Sequence, residues 1–534
     1  MIKQKIFLLL VVLLFIGCKT IDGSRIVVEK LNYTNEDVRQ NEIQNIRSIQ
    51  QVEPVKALWR ACVLNDKSII DECSTIVEIK LNEAIKNGDY LDAKRFYKSL
   101  QTINRASKNS DFDKLEKNAY NYIPGSVIDK SKTPKNIKEC INATVTIWVD
   151  NGIKVQNGVG YSDIIIGSGF FIDKRGYIVT NYHVISNLVD PKYEHFSRLY
   201  IKLISDSNVK IPAKVIGYDS LLDLALLKVE IEPEYILSLG SSKDLKIGES
   251  VSAIGTPIGL DGTITTGVIS SVNRKLLPLG DVFQIDAAVN SGNSGGPLID
   301  KNMNVQAIVF AGMLQYQGLN FAIPVEYLKQ ELLILYKDSE VLHPWISAYG
   351  HTKKYGNKNA GLEIKYVTPG GSAFVSTLKE NDIITSIDGN TITSIEDYQY
   401  SMMKYQPGTI LSFQIENEDG KKNIYVYLER RPENPAADIY GKDFLQNSFI
   451  PIFGMKLIPS STLNKNSFRI DKIINGSVAD MSGFAENDRI TVNNVKIDIE
   501  KNVIYATFTT RTRKNAYIDI SLGLSVNLDS PYYL

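Results

Sequence analysis

The sequence contains few histidines and cysteines, and it has no excess of charge of either sign. Among its 534 residues are 4 His, 4 Cys and 3 Trp, and 60 Lys and Arg balance 60 Asp and Glu. Without a net positive charge, no strong field attracts the protein to nucleic acid, so we expect no nucleic-acid partner. The cysteines lack the spacing of a metal site, and we expect no metal and no cofactor.

Three of the cysteines, Cys62, Cys73 and Cys140, lie well inside the chain. In an oxidising compartment Cys62 and Cys73 are able to pair, which would close a short loop between two helices. Cys140 is then left over, so we expect it to be a small, buried apolar residue. None of the three has the setting of a nucleophile.

Only one long apolar run is present, and it lies near the N-terminus, from Ile6 to Ile16, after two lysines. The run is short for a membrane-spanning helix and fits a secretory signal peptide over residues 1–17. Cys18 follows after one glycine, an arrangement that resembles a bacterial lipoprotein box. We therefore expect lipidation of Cys18 and a membrane-anchored protein in the bacterial cell envelope or periplasm. The alternative is a plain signal peptide followed by an incidental cysteine.

A change from polar to periodic sequence marks the next domain. Residues 18–50 are polar and lack clear periodicity, which predicts a tether. Apolar residues then recur at helical spacing, with Val55, Leu58 and Trp59 on one face. We predict a small helical domain at 51–125, without a motif that indicates its role, in a chain whose length predicts three or four domains.

From Cys140 onward the pattern changes to short strands separated by turns. Two groups of six such strands predict two β-barrels within residues 135–337. The first group is 144–149, 168–172, 177–180, 199–203, 213–216 and 224–229, and the second is 250–254, 263–272, 283–286, 297–299, 305–310 and 320–322.

A glycine-rich loop surrounds Ser294, in the order Gly-Asn-Ser-Gly-Gly-Pro. Glycine permits positive φ and close approach of the backbone. Such a loop is able to turn the N–H groups of Gly292 and Ser294 toward one point, which is what the oxyanion of an acyl-transfer intermediate needs. Taken alone, the loop is also consistent with an ordinary Gly-Ser turn.

A nucleophilic serine needs a base, and the base needs an acid that orients it. Among the four histidines, His183 lies just past a predicted strand. Asp223 opens the apolar strand 224–229, where a buried carboxylate needs a partner to offset its desolvation. The order His183, Asp223, Ser294 along the chain is that of the trypsin-like proteases.

Six motifs narrow this resemblance to one branch of that class. They are TNYHV (180–184), DLALLKV (223–229), AIGTPIGL (253–260), TTGVISSVNR (265–274), QIDAAVNSGNSGGPLID (284–300) and GLNFAIP (318–324). Together they resemble the HtrA/Deg family of envelope serine proteases. The resemblance implies that His183 is the general base, Asp223 its orienting acid and Ser294 the nucleophile. It also implies that the amides of Gly292 and Ser294 hold the oxyanion.

The resemblance further indicates where the substrate residue before the scissile bond would bind. The floor of that pocket, six positions before the serine, is Ala288. Its wall strand consists of Leu319, Asn320, Phe321 and Ala322. Since no carboxylate stands at position 288 to pair with Arg or Lys, we expect small or medium apolar side chains before the cut.

The C-terminal part of the chain resembles two bacterial PDZ domains, at 342–431 and 441–530. The carboxylate-binding loop of the first would be Trp345, Ile346, Ser347 and Ala348, with Ser347 where glycine is usual. The second copy is more degenerate and lacks the usual Asp-Gly turn. The alternative is two unrelated α+β domains.

The final residues, Tyr532-Tyr533-Leu534, have the chemistry of a PDZ ligand. PDZ domains hold an apolar C-terminal residue on backbone amides, with its side chain in a pocket. We therefore predict that the tail is able to occupy the first PDZ domain of the same or a neighbouring subunit. The simpler interpretation, which the sequence favours, is that Leu534 just follows the last strand. The Cβ of Ser347 is expected to crowd the receiving loop.

The sequence thus predicts a multidomain protein with an all-β double β-barrel of the trypsin-like protease type, an N-terminal helical domain and two C-terminal α+β PDZ-like domains. We expect a membrane-tethered envelope serine endopeptidase of protein quality control that cleaves unfolded polypeptides through an acyl-enzyme. C-terminal peptides would bind its PDZ domains, and a trimer-like homo-oligomer is conceivable. The alternatives are a non-proteolytic chaperone or peptide-binding adaptor, and a regulatory protease with one signalling substrate.

Overall fold

The computed structural model describes residues 27–125, 129–191, 193, 197–256, 262–290, 292–312, 319–337, 340–461, 464–514 and 516–534. The predicted signal peptide at 1–17 and the lipidation site Cys18 lie outside the described residues. Over the described parts of the chain, no helix combines the length and the apolar character needed to span a membrane.

The N-terminal region is helical from an earlier point than the sequence suggested. Its helices are α1 (Glu36–Ile49), α2 (Pro54–Leu64), α3 (Lys67–Asn87), α4 (Tyr90–Thr102) and α5 (Ser110–Asn121). The prediction of a tether over 18–50 is therefore wrong for α1. Asn35 caps this helix by accepting hydrogen bonds from the N–H groups of Asp37 and Val38. Only Ile43 and Ile46 are buried apolar residues of α1, too few to produce a clear period in the sequence.

The three cysteines inside the chain are free thiols. Cys62 on α2 and Cys73 on α3 do not form the disulfide that the sequence allowed. Burial raises the pKa of both thiols to about 12. Cys140 lies on α6 (Ile137–Asn142) and is fully buried, as expected for a small apolar residue.

Two groups of six antiparallel strands follow. The first group is β1 (Thr144–Gln156), β2 (Val159–Asp173), β3 (Tyr177–Thr180), β4 (Arg198–Leu203), β5 (Asp206–Asp219) and β6 (Leu224–Val229). The second is β7 (Ser250–Gly255), β8 (Thr263–Arg274), β9 (Val282–Ile285), β10 (Pro297–Ile299), β11 (Val305–Gly312) and β12 (Asn320–Pro324). Each group closes into a barrel, in the orders β1-β2-β3-β6-β5-β4 and β10-β11-β12-β9-β8-β7. The predicted double barrel is confirmed.

One helix follows a strand of each barrel. Helix α7 (Tyr182–Val189) follows β3 directly, and α8 (Val325–Lys337) follows β12. Each barrel has its own apolar core, and strand β2 contacts β7 of the other barrel. The cleft between the barrels therefore lies beside the start of α7.

The C-terminal half contains two antiparallel sheets with short helices. In the first domain, strands β14 (Ala348–Tyr355), β15 (Lys358–Val367), β16 (Ile383–Ile387), β18 (Ile410–Asn417) and β19 (Gly420–Tyr427) form the sheet in that order. Around it lie β13 (Pro344–Trp345), which pairs with β20 (Glu429–Arg430), β17 (Asn390–Thr391), α9 (Ser372–Val375) and α10 (Ile395–Met402).

The second C-terminal domain begins with two helices, α11 (Pro435–Lys442) and α12 (Leu445–Phe453). Its sheet has the order β21 (Met455–Pro459), β22 (Ser467–Ile473), β23 (Arg489–Asp498), β24 (Val503–Lys514) and β25 (Ala516–Asn527), with α13 (Val478–Met481) beside it. The two predicted α+β PDZ-like domains are confirmed as part of the overall architecture.

The helical region packs on the outer face of the first PDZ sheet. Helix α2 contacts β19, and α4 contacts β18. The Trp59 ring stacks on Tyr427 with 5.5 Å between ring centroids. Its Nε1–H donates to the hydroxyl of Ser376 at 3.0 Å and lies 3.1 Å from the carbonyl of Tyr425. The helices and this PDZ domain therefore share one interior.

Candidate active site and peptide-binding groove

His183 and Asp223 lie together at the rim of the first barrel. His183 is in the first turn of α7, and Asp223 precedes β6 with a left-handed backbone, φ 54°. One oxygen of Asp223 accepts the backbone N–H of His183 at 2.8 Å, and the other lies 2.8 Å from Nδ1 of the ring. The Asn181 side chain donates to the Asp223 carbonyl at 2.8 Å. The imidazole of His183 is thus oriented through its Nδ1.

The loop that carries Ser294 is fastened to the first barrel by Ser168 of β2. The Ser168 N–H donates to the Ser294 carbonyl at 2.8 Å. Its hydroxyl donates to the Gly292 carbonyl at 2.6 Å and accepts the Thr256 N–H at 3.0 Å. Gly292 and Gly295 have φ of 102° and 85°, so this loop uses conformations that favour glycine.

Close packing brings Ser294 next to the helix that carries His183. A Cβ on Gly167 would lie 2.7 Å from the Val184 side chain and 3.3 Å from the Ser294 carbonyl. A Cβ on Gly295 would lie 3.1 Å from the amide nitrogen of Asn181. The glycines let the two barrels approach, so the Ser294 loop lies against the start of the helix that carries His183.

The hydroxyl of Ser294 donates to the carbonyl of Phe310 at 3.2 Å. Among the described residues, neither the N–H of Gly292 nor that of Ser294 donates to another group. The Ser294 hydroxyl is thus bonded to Phe310 and not to the imidazole of His183.

One side chain links two parts of the predicted substrate pocket. Asn320 of β12 donates to the carbonyl of Ala287 at 2.8 Å, which ties the wall strand to the loop before Ser294. Ala288 is exposed, and its carbonyl accepts the Thr265 hydroxyl at 2.8 Å. Phe321 and Ala322 are buried and Leu319 is half-buried. Leu319, Phe321 and Ala322 are apolar and Asn320 is polar, and the substrate preference stays a prediction.

The sequence analysis missed a buried polar cluster beside the first PDZ domain. Asp219 ends β5, Glu331 lies on α8 and His343 lies in the connection to β13, and all three are buried. Their ligand-type atoms lie within 4.8 Å of one another. Asp219 Oδ2 is 2.9 Å from His343 Nε2, and Oδ1 accepts the N–H groups of Leu221 and Leu222. The partners are 124 positions apart in the chain, so no local pattern could reveal them.

Protonation in this cluster departs from ordinary values. Burial raises the pKa of Glu331 to about 8. Burial alone would lower the pKa of His343, but attraction to Asp219 and the hydrogen bond with it raise this pKa above its usual value. Oε2 of Glu331 is buried without a hydrogen-bond partner. The cluster therefore favours a neutral Glu331 beside a His343–Asp219 ion pair.

The last three residues of the sequence lie in the groove of the first PDZ domain. The Leu534 N–H donates to the Ala348 carbonyl at 2.9 Å, and the Gly350 N–H donates to the Tyr532 carbonyl at 3.1 Å. An oxygen of Leu534 accepts the N–H groups of Ile346 at 3.0 Å and Ala348 at 3.4 Å. The structure places the tail in this groove within the same chain, so the interpretation that Leu534 simply follows the last strand is wrong.

Ser347 does not crowd the receiving loop. Its φ is 62°, so it takes the left-handed conformation that glycine would favour. A Cβ on Gly371 would lie 2.2 Å from the Cβ of Ser347, so the absent side chain at 371 makes the room. The Ser347 hydroxyl donates to Glu429 at 2.8 Å. The expected crowding is therefore wrong, because a neighbouring glycine compensates for it.

Family models match four parts of the chain. A trypsin-like peptidase domain matches residues 167–308, a PDZ domain matches 347–416 and a TP0546 family PDZ domain matches 436–528. A domain of unknown function (DUF8517) matches residues 37–119, within the helical region. The fold and these matches define a trypsin-like peptidase domain that is followed by two PDZ domains.

Curated relatives identify the family. "Protease Do-like 1, chloroplastic" of Arabidopsis thaliana is 30% identical over 339 residues, which cover 56% of this chain and 75% of that protein. A "Probable periplasmic serine endoprotease DegP-like" of Marinomonas sp. is 30% identical over 347 residues, which cover 62% and 71%. This chain belongs to the HtrA/DegP-like family of serine endoproteases.

Other relatives match over a smaller part of their length. The DegP-like protein of Halomonas elongata is 32% identical over 50% of this chain and 57% of its own length. The chain thus spans little more than half of that relative. Among solved structures, "HtrA-type protease AlgW with decapeptide" is 24% identical with a TM-score of 0.46, covering 55% of this chain and 96% of that one.

Proposed function

We propose that this protein is a serine endopeptidase in which His183 is the general base, Asp223 orients it and Ser294 is the nucleophile. The observation that carries the proposal is the double hydrogen bond between Asp223 and His183, both contacts at 2.8 Å. Membership of the HtrA/DegP-like family supports it. A carboxylate that binds both the backbone and Nδ1 of a histidine fixes the tautomer that a general base needs.

The reaction follows from these positions. Nε2 of His183 takes the proton of Ser294 while Oγ attacks the carbonyl carbon of the scissile peptide bond. The amides of Gly292 and Ser294 then stabilise the negative charge on the carbonyl oxygen. Protonated His183 gives its proton to the leaving amine, and water hydrolyses the acyl-enzyme through the same groups.

The pocket around Ala288 supports cleavage after small or medium apolar residues. The Phe310 and Phe321 rings lie 6.4 Å apart near this pocket, and no acidic side chain stands at Ala288 to attract Arg or Lys. Such residues are exposed in unfolded polypeptides and buried in folded ones. We therefore propose unfolded or misfolded envelope proteins as the substrates.

The cellular setting is proposed from the sequence and from the relatives. Lipidation of Cys18 would attach the protein to an envelope membrane, and relatives that carry the word periplasmic in their names support this compartment. The β1–β2 hairpin exposes Ile153, Val155 and Tyr161 at its tip. An exposed apolar hairpin supports a homo-oligomer, since monomers rarely leave such surfaces uncovered.

Casein digestion tests the proposal. Ser294→Ala should lower turnover by several orders of magnitude, because the triad acts as a unit. Ser252→Ala, at a serine on the outside of β7, is the matched control and should digest casein at the wild-type rate.

Casein digestion by Ser294→Ala at the wild-type rate would overturn the assignment of the nucleophile. Casein left intact by the wild type, together with suppression of aggregation of an unfolded protein, would instead support the chaperone or adaptor alternative. A single discrete product in envelope extracts would favour the regulatory protease.

A further inference from the structure

We propose that segment 532–534 is the resident ligand of the first PDZ groove, and that external ligands are C-terminal peptides of the same chemistry which bind by displacing it. This inference rests on the PDZ part of the proposed function and adds the ligand class and its competitor. The ligand class is an apolar last residue with an aromatic residue two positions before it.

The last position is read by an apolar pocket. The Leu534 side chain is 1% exposed and belongs to the core of the first PDZ domain, together with Ile346, Leu362 and Tyr398. A Cβ on Gly350 would lie 3.0 Å from Cδ1 of Leu534, so the strand beside the pocket is shaped to the leucine. Burial to this extent favours a leucine, whereas a charged side chain here would lose its hydration.

The side chain at the third position from the end, Tyr532, contacts an aromatic ring of the first PDZ domain. The Tyr532 ring stacks on His351 with 4.1 Å between centroids and 14° between planes. Burial lowers the pKa of His351 to about 4, so the imidazole is a neutral, flat surface near neutral pH. A flat aromatic side chain matches this surface better than a branched aliphatic one.

The middle position points to the second PDZ domain, as alternation along a strand requires. Tyr533 is 3% exposed, and its hydroxyl donates to the Pro451 carbonyl at 3.2 Å. Trp345 and Tyr349 flank its ring at 6.4 Å and 5.7 Å between centroids. The tail is therefore held by both PDZ domains, and only Leu534 and Tyr532 are read by the first groove.

Two side chains fix the chain just before the groove. Arg431 forms an ion pair with Asp529 at 2.5 Å and donates to the Tyr533 carbonyl at 3.0 Å. Gln399 of α10 donates to the Pro531 carbonyl at 2.7 Å. A tethered segment acts at an effective concentration on the order of millimolar, so a free peptide meets a strong internal competitor.

The experiment uses the full chain and a fluorescein-labelled peptide, Ser-Pro-Tyr-Tyr-Leu, with binding followed by fluorescence anisotropy. Leu534→Asp should release the tail, because the aspartate cannot enter the pocket, and should tighten peptide binding by about tenfold or more. Leu534→Met keeps an apolar side chain and should change peptide affinity less than Leu534→Asp does. The same peptide with an amidated end should bind weakly to every variant.

Equal peptide affinity in the wild type and in Leu534→Asp would overturn the proposal. Should Leu534→Asp fail to fold by circular dichroism, Tyr532→Ala provides the second variant, and it should tighten peptide binding by about threefold or more because the stacking on His351 is lost. Unchanged affinity in that variant would likewise overturn it. Because Ser294→Ala removes proteolysis without touching the groove, peptide binding by this variant separates failure of the ligand proposal from failure of the protease proposal.

Discussion

Among single residues, Asp223 has the most direct influence on the candidate catalytic base. It accepts one hydrogen bond from the backbone of His183 and one from its ring. Asp223→Asn keeps the size but presents an amide that favours the wrong imidazole tautomer, so kcat/KM on casein should fall by about 10³–10⁴-fold. Asp113→Asn, at an exposed position of α5, is the matched control.

Circular dichroism should show that Asp223→Asn remains folded. A variant with the wild-type rate would show that another group orients His183. An unfolded variant would indicate that the hydrogen bond from the His183 backbone to Asp223 is needed for folding.

Glu331 predicts a dependence of stability on pH. Its pKa is raised from 4.5 to about 8 in the folded protein, so the folded state keeps a proton that the unfolded state loses. The stability from this group is full below about pH 4.5 and is lost as the pH rises through about 8. The raised pKa of His343 acts in the same direction, with Asp219, Lys94 and Arg431 as the other charges that act on the cluster.

Glu331→Gln cannot lose this proton, so its Tm should fall less than that of the wild type between about pH 5 and about pH 9. Differential scanning calorimetry across this range measures the two slopes. Parallel slopes would mean that Glu331 is already ionised in the folded protein. Glu326→Gln, on the same helix but outside the cluster, should keep the wild-type slope.

Among the elements, helix α2 has the clearest structural role, since it fastens the helical region to the first PDZ domain. Trp59 is 2% exposed and stacks on Tyr427. Trp59→Ala should destabilise the protein by about 3–5 kcal/mol through the cavity it leaves. Limited proteolysis should then release the helical region at concentrations of protease that leave the wild type intact.

Val52→Ala is the control for this prediction, because Val52 is 84% exposed just before α2. An unchanged Tm in Trp59→Ala would show that the helices attach to the PDZ domain through other contacts. The family match to residues 37–119 gives no role for the region, and the structure shows that it packs on the first PDZ domain.

The sequence predicted best those features that depend on residues close together in the chain. The periodicity of the strands predicted both barrels. The glycines around Ser294 predicted the loop, because its backbone uses conformations that favour glycine. Helix α1 was missed because Ile43 and Ile46 alone face the core. The Asp219–His343 pair was missed because its partners come from distant segments. Helix α1 and the Asp219–His343 pair both depend on tertiary contacts and not on local propensity.

The tail shows an intermediate case. The sequence showed the chemistry of Leu534 and of the loop Trp345–Ala348, but it favoured a tail that simply follows the last strand over the pairing that the structure shows. The sequence did not show that the absence of a side chain at Gly371 leaves space for Ser347, because this depends on the approach of two loops. Similarly, the link from Ser168 to the Ser294 loop requires the two barrels to be docked.

For the whole molecule, the anchor is the main open prediction. Because Cys18 follows an apolar run, Cys18→Ser should prevent acylation and move the protein from the detergent phase to the aqueous phase on partitioning. An unchanged distribution would leave an ordinary signal peptide or another tether. Cys140→Ser, at an internal thiol, is a control that should leave the partitioning as it is in the wild type.

The bonds made by Ser168 also determine when the enzyme becomes competent as it folds. The Ser294 loop receives its supports from a strand of the other barrel, so neither barrel is able to shape the nucleophile by itself. On the proposed role of Ser294, we expect activity to be among the last properties to appear during refolding, after most of the tryptophan fluorescence has recovered. A newly made chain would pass through its most vulnerable, partly folded stage without an active protease beside it, and would be protected from cutting itself or its neighbours.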